Sequence, residues 1–252
     1  ESILKLAPVS GNRRALDIGT LGHVGLAAYY ARLRDKMNGH PERYMDPQSA
    51  VRLVANQHGI SELTRYVLPV LDIYPPLFPA EASTAEILMV EEILEIQVNG
   101  RPYRQKADLV LRSRAGGRVF IMDHKWTSGL DAKTSRAQDM SGQRLGYEVL
   151  GREIFGDAFA DVVFSMIEYP TLRVVRRHPE PAPDAIAKFR DQIAMLDDER
   201  ARFAVSGLDP WDYPAAMNEL TCVHRYGVCS YMPLCLWGRA MESQYYRKEE
   251  KR

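Results

Sequence analysis

The chain has 252 residues, and its 33 lysines and arginines balance 33 aspartates and glutamates, so the formal net charge is zero. A global basic field for gripping a polyanion is therefore excluded, and any nucleic-acid contact has to come from a local patch. With 46% apolar and 26% charged residues the composition is that of a globular protein with a real core, and no apolar run approaches the roughly 18–20 residues of a membrane span.

In chain order, residues 15–37 read as a helix. Leu21, Val24, Ala27, Ala28, Ala31 and Leu33 recur at helical spacing, Asp17 stands near its start, and Gly39 and Pro41 end it. Residues 47–57 form a second helix with Pro47 in its first turn. Residues 61–73 form a third, which Pro69 should kink or end early. Pro75, Pro76 and Pro79 then break the chain. Residues 87–98 change character: Leu94, Ile96 and Val98 alternate with Glu95 and Gln97, as in a half-buried strand. Asn99-Gly100 is a hairpin turn signal, and residues 103–111 and 118–125 are two further strands, so the middle third is a β-meander. Residues 140–155 return to helical spacing, 161–167 and 172–176 are short strands, and 183–205 form a charged amphipathic helix. Residues 207–237 are aromatic-rich and irregular, and they carry all three cysteines. The expectation is one α/β domain over 1–252, with a helical part at 15–80, a core sheet and active site at 85–177, and a helix plus cysteine-rich segment at 183–237. No basic-then-apolar signal segment opens the sequence, so a secreted reading has no support.

The chemistry gathers at Ile121-Met122-Asp123-His124-Lys125. Side chains alternate along a strand, so Asp123 and Lys125 leave one face and Met122 and His124 the other. Taken alone, this is as readily a solvent-facing ion pair of small energetic weight. The preceding strand changes that. If the hairpin turns symmetrically between Ala115 and Gly116, Asp108 lies across from Asp123. Two carboxylates so placed repel, and a hard divalent cation between them, Mg²⁺ or Mn²⁺, removes the penalty. A register slip of one residue would break the argument. Lys125 can then orient or deprotonate a water, or neutralise charge on a phosphate. Two acids, a lysine and a cation are the minimum kit for phosphodiester hydrolysis.

Asp108 followed by Asp123-x-Lys125 after an apolar strand resembles the pattern of the PD-(D/E)XK nuclease superfamily. Gly19-Thr20-Leu21-Gly22-His23 resembles the G-x-x-x-H helix of its RecB-like exonuclease branch, which includes phage and bacterial exonucleases and relatives among CRISPR-associated and AddB-type iron–sulfur nucleases. Asp123-His124-Lys125-Trp126-Thr127 looks like the branch's D-x-K-T region with Trp126 inserted, and Gln143-Arg144-Leu145-Gly146-Tyr147 like its Q-x-x-x-Y helix. The resemblance covers residues 15–150. It implies a restriction-endonuclease-like core: a central mixed β-sheet flanked by helices, with helical additions and a cysteine-bearing C-terminal segment. It further implies a Mg²⁺- or Mn²⁺-dependent deoxyribonuclease, most simply an exonuclease giving 5′-phosphate products. His23, Asp108, Asp123 and the backbone carbonyl of His124 would bind one or two ions, Lys125 would position the water, and Gln143 and Tyr147 would hold the phosphodiester. A glutamate on the strand before Asp108 often assists in that branch, and Glu91, Glu92 and Glu95 are equal candidates. The expected partners are DNA single strands or duplex ends and a helicase or recombination protein, with no membrane, in the cytoplasm of a bacterial or phage-infected cell. The rival readings are a non-catalytic nucleic-acid-binding subunit, and an endonuclease or RNase on the same core.

Between residues 101 and 152 eleven basic residues stand against five acidic ones, a local excess that suits a polyanion. Lys133, Arg136 and Arg144 flank the proposed site and are the candidate phosphate contacts. Cys222, Cys229 and Cys235 leave three readings open. They can be small buried thiols, a Cys₃His zinc site with His224, or part of a [4Fe–4S] cluster, which normally takes four thiolates.

Overall fold

The structure is a computed structural model that describes residues 6–8, 14–41, 43–131, 141–178, 181–207, 223–224, 227–228 and 246–248. The chain divides into two compact units, residues 14–195 and a second made of residues 1–13 with 196–252. In the second unit β1 (Leu6–Pro8) pairs antiparallel with β9 (Tyr246–Lys248), and β7 (Val223–His224) with β8 (Gly227–Val228).

The first unit opens with α1 (Arg14–Met37) and α2 (Pro47–Gln57), the latter capped by Asp46, whose carboxylate accepts from the Ser49 N–H at 2.9 Å. The third helix, α3 (Thr64–Leu77), departs from the sequence expectation, because it runs through Pro69, Pro75 and Pro76 without a break. Each proline removes one backbone donor. Val67, Val70, Leu71 and Tyr74 all bury on one face of this helix, and that packing holds the backbone helical across the missing bonds. A single turn, α4 (Glu81–Thr84), leads into the sheet.

The sheet has five strands in the order β2-β3-β4-β5-β6: β2 (Ala85–Val98), β3 (Arg101–Ser113), β4 (Val119–Thr127), β5 (Phe159–Glu168) and β6 (Arg173–Arg177). The first three form the expected meander. Asn99 and Gly100 both adopt left-handed φ, 51° and 74°, and close a two-residue turn between Val98 and Arg101. β5 lies parallel to β4, so the chain between them must cross over the sheet. That crossover contains α5 (Gly142–Phe155), and β6 then returns antiparallel. The helix α6 (Pro183–Val205) follows, burying Ile186 and Ile193.

Alternation along the strands builds two cores. Leu109, Leu111, Met122, Val163 and Ile167 face α1, α2 and α3, while Val110, Ile121, Val162, Phe164 and Met166 pack with Tyr147, Val149 and Leu150 of α5. The result is an α/β fold with a central mixed sheet flanked by helices, as in a restriction-endonuclease-like core. Among the described residues no helix is long and apolar enough to cross a membrane.

Candidate metal-binding cleft

β4 splits its side chains as the sequence requires. His124 turns into the α1–α3 side, where its ring lies nearly parallel to Tyr30 (centroids 5.8 Å apart, 13° between planes) and edge-on to Tyr74 (6.0 Å, 84°). It is buried with neither ring nitrogen hydrogen-bonded, and burial pushes its pKa down to about 4, so the imidazole is neutral. Its peptide N–H does the site's work, donating to Asp108 Oδ2 at 2.7 Å.

The β3–β4 register is the one the sequence implies, from Arg112↔Val119 to Leu109↔Met122. Asp108 comes next, and there backbone pairing gives way to that side-chain bond. On its other side Asp108 Oδ2 lies 3.3 Å from His23 Nδ1 of α1, and His23 Nδ1 is 3.8 Å from Glu91 Oε1 of β2. Glu91 has φ 55°, the left-handed region, in the middle of a strand. Such a conformation costs a non-glycine residue about 1–3 kcal/mol. It occurs where the flanking pairs Val90↔Leu109 and Glu92↔Ala107 bracket Glu91 and Asp108, and the Glu91 carboxylate meets His23 and Lys106. Glu92 and Glu95 instead pair at the surface with Arg34 (3.6 Å) and Arg104 (3.0 Å). The three glutamates are equivalent by sequence; the backbone irregularity singles out Glu91.

Ligand atoms of His23, Glu91 and Asp108 all lie within 4.8 Å of one another, a group that can hold a metal ion. One imidazole nitrogen and two carboxylates are donors for a hard or borderline divalent ion, and the half-buried Asp108 carboxylate lines the cleft. Asp123 was expected in this set beside His23 and Asp108, and it stands outside it. The reason is its partners: its Oδ2 lies 2.6 Å from Lys125 Nζ, and its Oδ1 accepts from Gln143 Nε2 at 2.8 Å. Gln143 Oε1 in turn accepts from Lys125, so one amide bridges acid and lysine. The Tyr147 hydroxyl donates to the Lys106 carbonyl at 2.6 Å and lies 3.3 Å from Asp123 Oδ1. His23, Glu91, Lys106, Asp108, Asp123, Lys125 and Gln143 line one open cleft of about 500 Å³, while Tyr147 is buried beside Asp123.

The charges follow from this packing. Burial disfavours a cationic His23, yet the Asp108 and Glu91 carboxylates outweigh it and push the pKa up to about 10. Burial raises Asp123 to about 6, with Asp108 adding to the effect and Lys125 opposing it. Burial also drives the Tyr147 phenol well up, reinforced by both aspartates, so it stays a donor. Without a metal, the proton on His23 plays the cation's part between two acids.

Two helices set these positions. In α5, Ser141 caps the first turn by accepting from the Arg144 N–H at 3.2 Å, and Gln143 and Tyr147 then fall one turn apart on the face turned to β4. In α1, a Cβ built on Gly22 would lie inside the Trp126 indole. The residue just before His23 therefore has to be glycine for α1 to approach β4 this closely. Trp126, an insertion by the motif pattern, is the wedge against which His23's helix is seated.

Arg144 corrects an expectation. It is 1% exposed and faces Glu148, 3.4 Å away, so its charge is buried in the fold and does not line the cleft. The charge count had no way to see that its helix face is covered. Lys133 and Arg136 lie outside the described residues, as do Cys222, Cys229 and Cys235.

No known family profile and no curated protein matches the sequence. Among solved structures, one named "Putative exonuclease" from Eubacterium rectale aligns over 96% of this chain and 78% of its own at 11% identity, with a TM-score of 0.46. The protein SSO0001 aligns over 78% of this chain and 86% of its own at 17% identity, with a TM-score of 0.32. Likenesses this distant carry no assignment, which rests on the residues themselves.

Proposed function

We propose that the chain is a divalent-metal-dependent deoxyribonuclease of the RecB-like PD-(D/E)XK kind, acting as an exonuclease. One observation carries the reading: acids from three strands (Glu91, Asp108, Asp123), the histidine of α1, the lysine of β4 and Gln143 of α5 border a single solvent-open cleft, with the buried Tyr147 hydroxyl in reach of Gln143 and Asp123. Ion pairs at a surface have no need of this burial, of a strained glutamate, or of a glutamine held between acid and lysine.

His23, Glu91 and Asp108 would hold the cation, with Asp123 and the backbone carbonyl of His124 as further donors. When bound, the cation supplies Lewis-acid stabilisation of phosphate charge and makes water a better nucleophile at neutral pH. An imidazole among the donors favours Mn²⁺ over Mg²⁺. Lys125, fixed by Asp123 and Gln143, orients the attacking water and balances negative charge as the phosphorus gains its fifth oxygen. Gln143 keeps the lysine from collapsing onto Asp123 alone, and Tyr147 anchors β3 to α5 through the Lys106 carbonyl. Departure of the 3′ oxygen leaves 5′-phosphate products.

The test is cleavage of DNA labelled at either end, single-stranded and duplex, by wild type and by Lys125→Ala. Loss of about 10²–10⁴-fold in rate with an unchanged circular dichroism spectrum is expected. Wild-type cleavage by the variant would refute the assignment. Closed circular DNA and RNA separate exonuclease from endonuclease and RNase.

A further inference from the structure

The cleft contains a second ammonium with no part in the scheme above. Lys106 stands two residues before Asp108 on β3, with its side chain 58% exposed and its Nζ on Glu91 Oε2. Its backbone is pinned, because its carbonyl accepts the Tyr147 hydroxyl and its Cα pairs with Ile93 of β2. Only the flexible side chain is able to change partner.

Glu91 is also one of the three groups that can hold a cation. Its carboxylate carries one negative charge, and a dication at His23, Glu91 and Asp108 claims it. Lys106 is then left beside added positive charge with its anion engaged, an arrangement that repels it from Glu91. The nearest favourable anion is a phosphate lying in the cleft. We propose that Lys106 is a phosphate-contact residue released by metal: it pairs with Glu91 in the free protein and with a single-stranded polynucleotide phosphate once the cation is bound. This rests on the nuclease reading and adds to it a coupling between metal and substrate. Arg104 is the internal comparison. It precedes Lys106 by two residues on the same strand face, about 6.8 Å along the strand, but its partner Glu95 is outside the metal-holding group. Any phosphate contact by Arg104 is therefore independent of metal.

The experiment measures binding of a fluorescein-labelled single-stranded oligonucleotide across about 50–200 mM KCl, in EDTA and in Ca²⁺, a larger ion and weaker Lewis acid that keeps turnover low. Wild type, Lys106→Gln and Arg104→Gln are compared, and Ca²⁺ and Mn²⁺ affinities are measured by calorimetry without DNA. In Ca²⁺, Lys106→Gln should show a salt slope shallower by about 0.7, one phosphate on a single strand, and in EDTA the slope should equal wild type. Lys106→Gln should also bind metal severalfold more tightly, because the competitor for Glu91 is gone. Arg104→Gln should leave the metal affinity unchanged. The proposal is overturned if Lys106→Gln matches wild type in Ca²⁺, if its slope falls equally in EDTA, or if its metal affinity is unchanged or weaker. Wild type that binds no oligonucleotide and cleaves none removes the nuclease reading and this proposal together. Wild type that binds and cleaves while Lys106→Gln behaves identically removes only this one.

Discussion

His23 and His124 show how one residue type takes opposite charge states 101 residues apart in sequence, through the company each keeps. Two carboxylates hold His23 protonated up to about pH 10, whereas an aromatic sleeve keeps His124 neutral down to about 4. A metal needs neutral imidazole, so binding at His23 must release a proton. Calorimetry of Mn²⁺ binding in buffers of different ionisation enthalpy should return about one proton per ion, with affinity rising close to tenfold per pH unit between about pH 6 and pH 8. Binding without proton release would remove His23 from the ligand set. For His124 the effect is on stability. Its folded pKa lies below the usual 6.5, so between 6.5 and about 4 the unfolded chain binds a proton that the folded chain does not. Its contribution is complete above 6.5 and is lost as pH falls towards 4, up to about 3 kcal/mol. Asp123, raised to about 6, titrates in the opposite sense, since over its window the folded chain holds the extra proton. The informative comparison is therefore wild type against His124→Phe in urea melts: the variant should lose less stability between about pH 6.5 and pH 4.5. Equal losses would show that the ring titrates normally.

At the scale of elements, much of the site was legible. Symmetry about Ala115 and Gly116 gave the β3–β4 register, and alternation placed Asp123 and Lys125 on one face. Alternation fails where the backbone departs from it. At Glu91 a left-handed residue turns a carboxylate that no periodic pattern could distinguish from Glu92 or Glu95. Arg144 misled for a related reason, because a charge count registers a helix but not which of its faces is buried. Likewise Pro69 signals a break on local grounds, and tertiary burial of Val67, Val70 and Tyr74 overrides it. The contact between α1 and β4 gives a paired prediction. Gly22→Ala puts a methyl into the Trp126 ring, which should cost about 1–3 kcal/mol and weaken metal binding by displacing His23. Gly19→Ala, one turn earlier, meets nothing and should be neutral or stabilising by up to about 1 kcal/mol. Thermal melts with Mn²⁺ titrations test both; equal behaviour of the two variants would mean that Trp126 does not seat the helix.

Across the whole molecule, a neutral chain gathers its candidate site residues along the middle of three neighbouring strands, together with His23 of α1 and Gln143 of α5. Sequence could supply the order of the elements and the motif residues, because both are local patterns. It could not supply the convergence of β2, β3, β4, α1 and α5 on one cleft, since that depends on packing between segments up to 120 residues apart. The cysteine segment is tested separately: a [4Fe–4S] cluster gives a brown protein with visible absorption, a zinc site gives zinc by metal analysis, and packed thiols give neither. The most direct measurement for the molecule as a whole is hydrolysis of end-labelled DNA by the wild-type protein with Mn²⁺, with Mg²⁺ and with EDTA. Cleavage to 5′-phosphate products that requires the metal and stops with EDTA is the expected result. No cleavage of single strands, duplex ends or circles with either ion, or cleavage indifferent to EDTA, would contradict it.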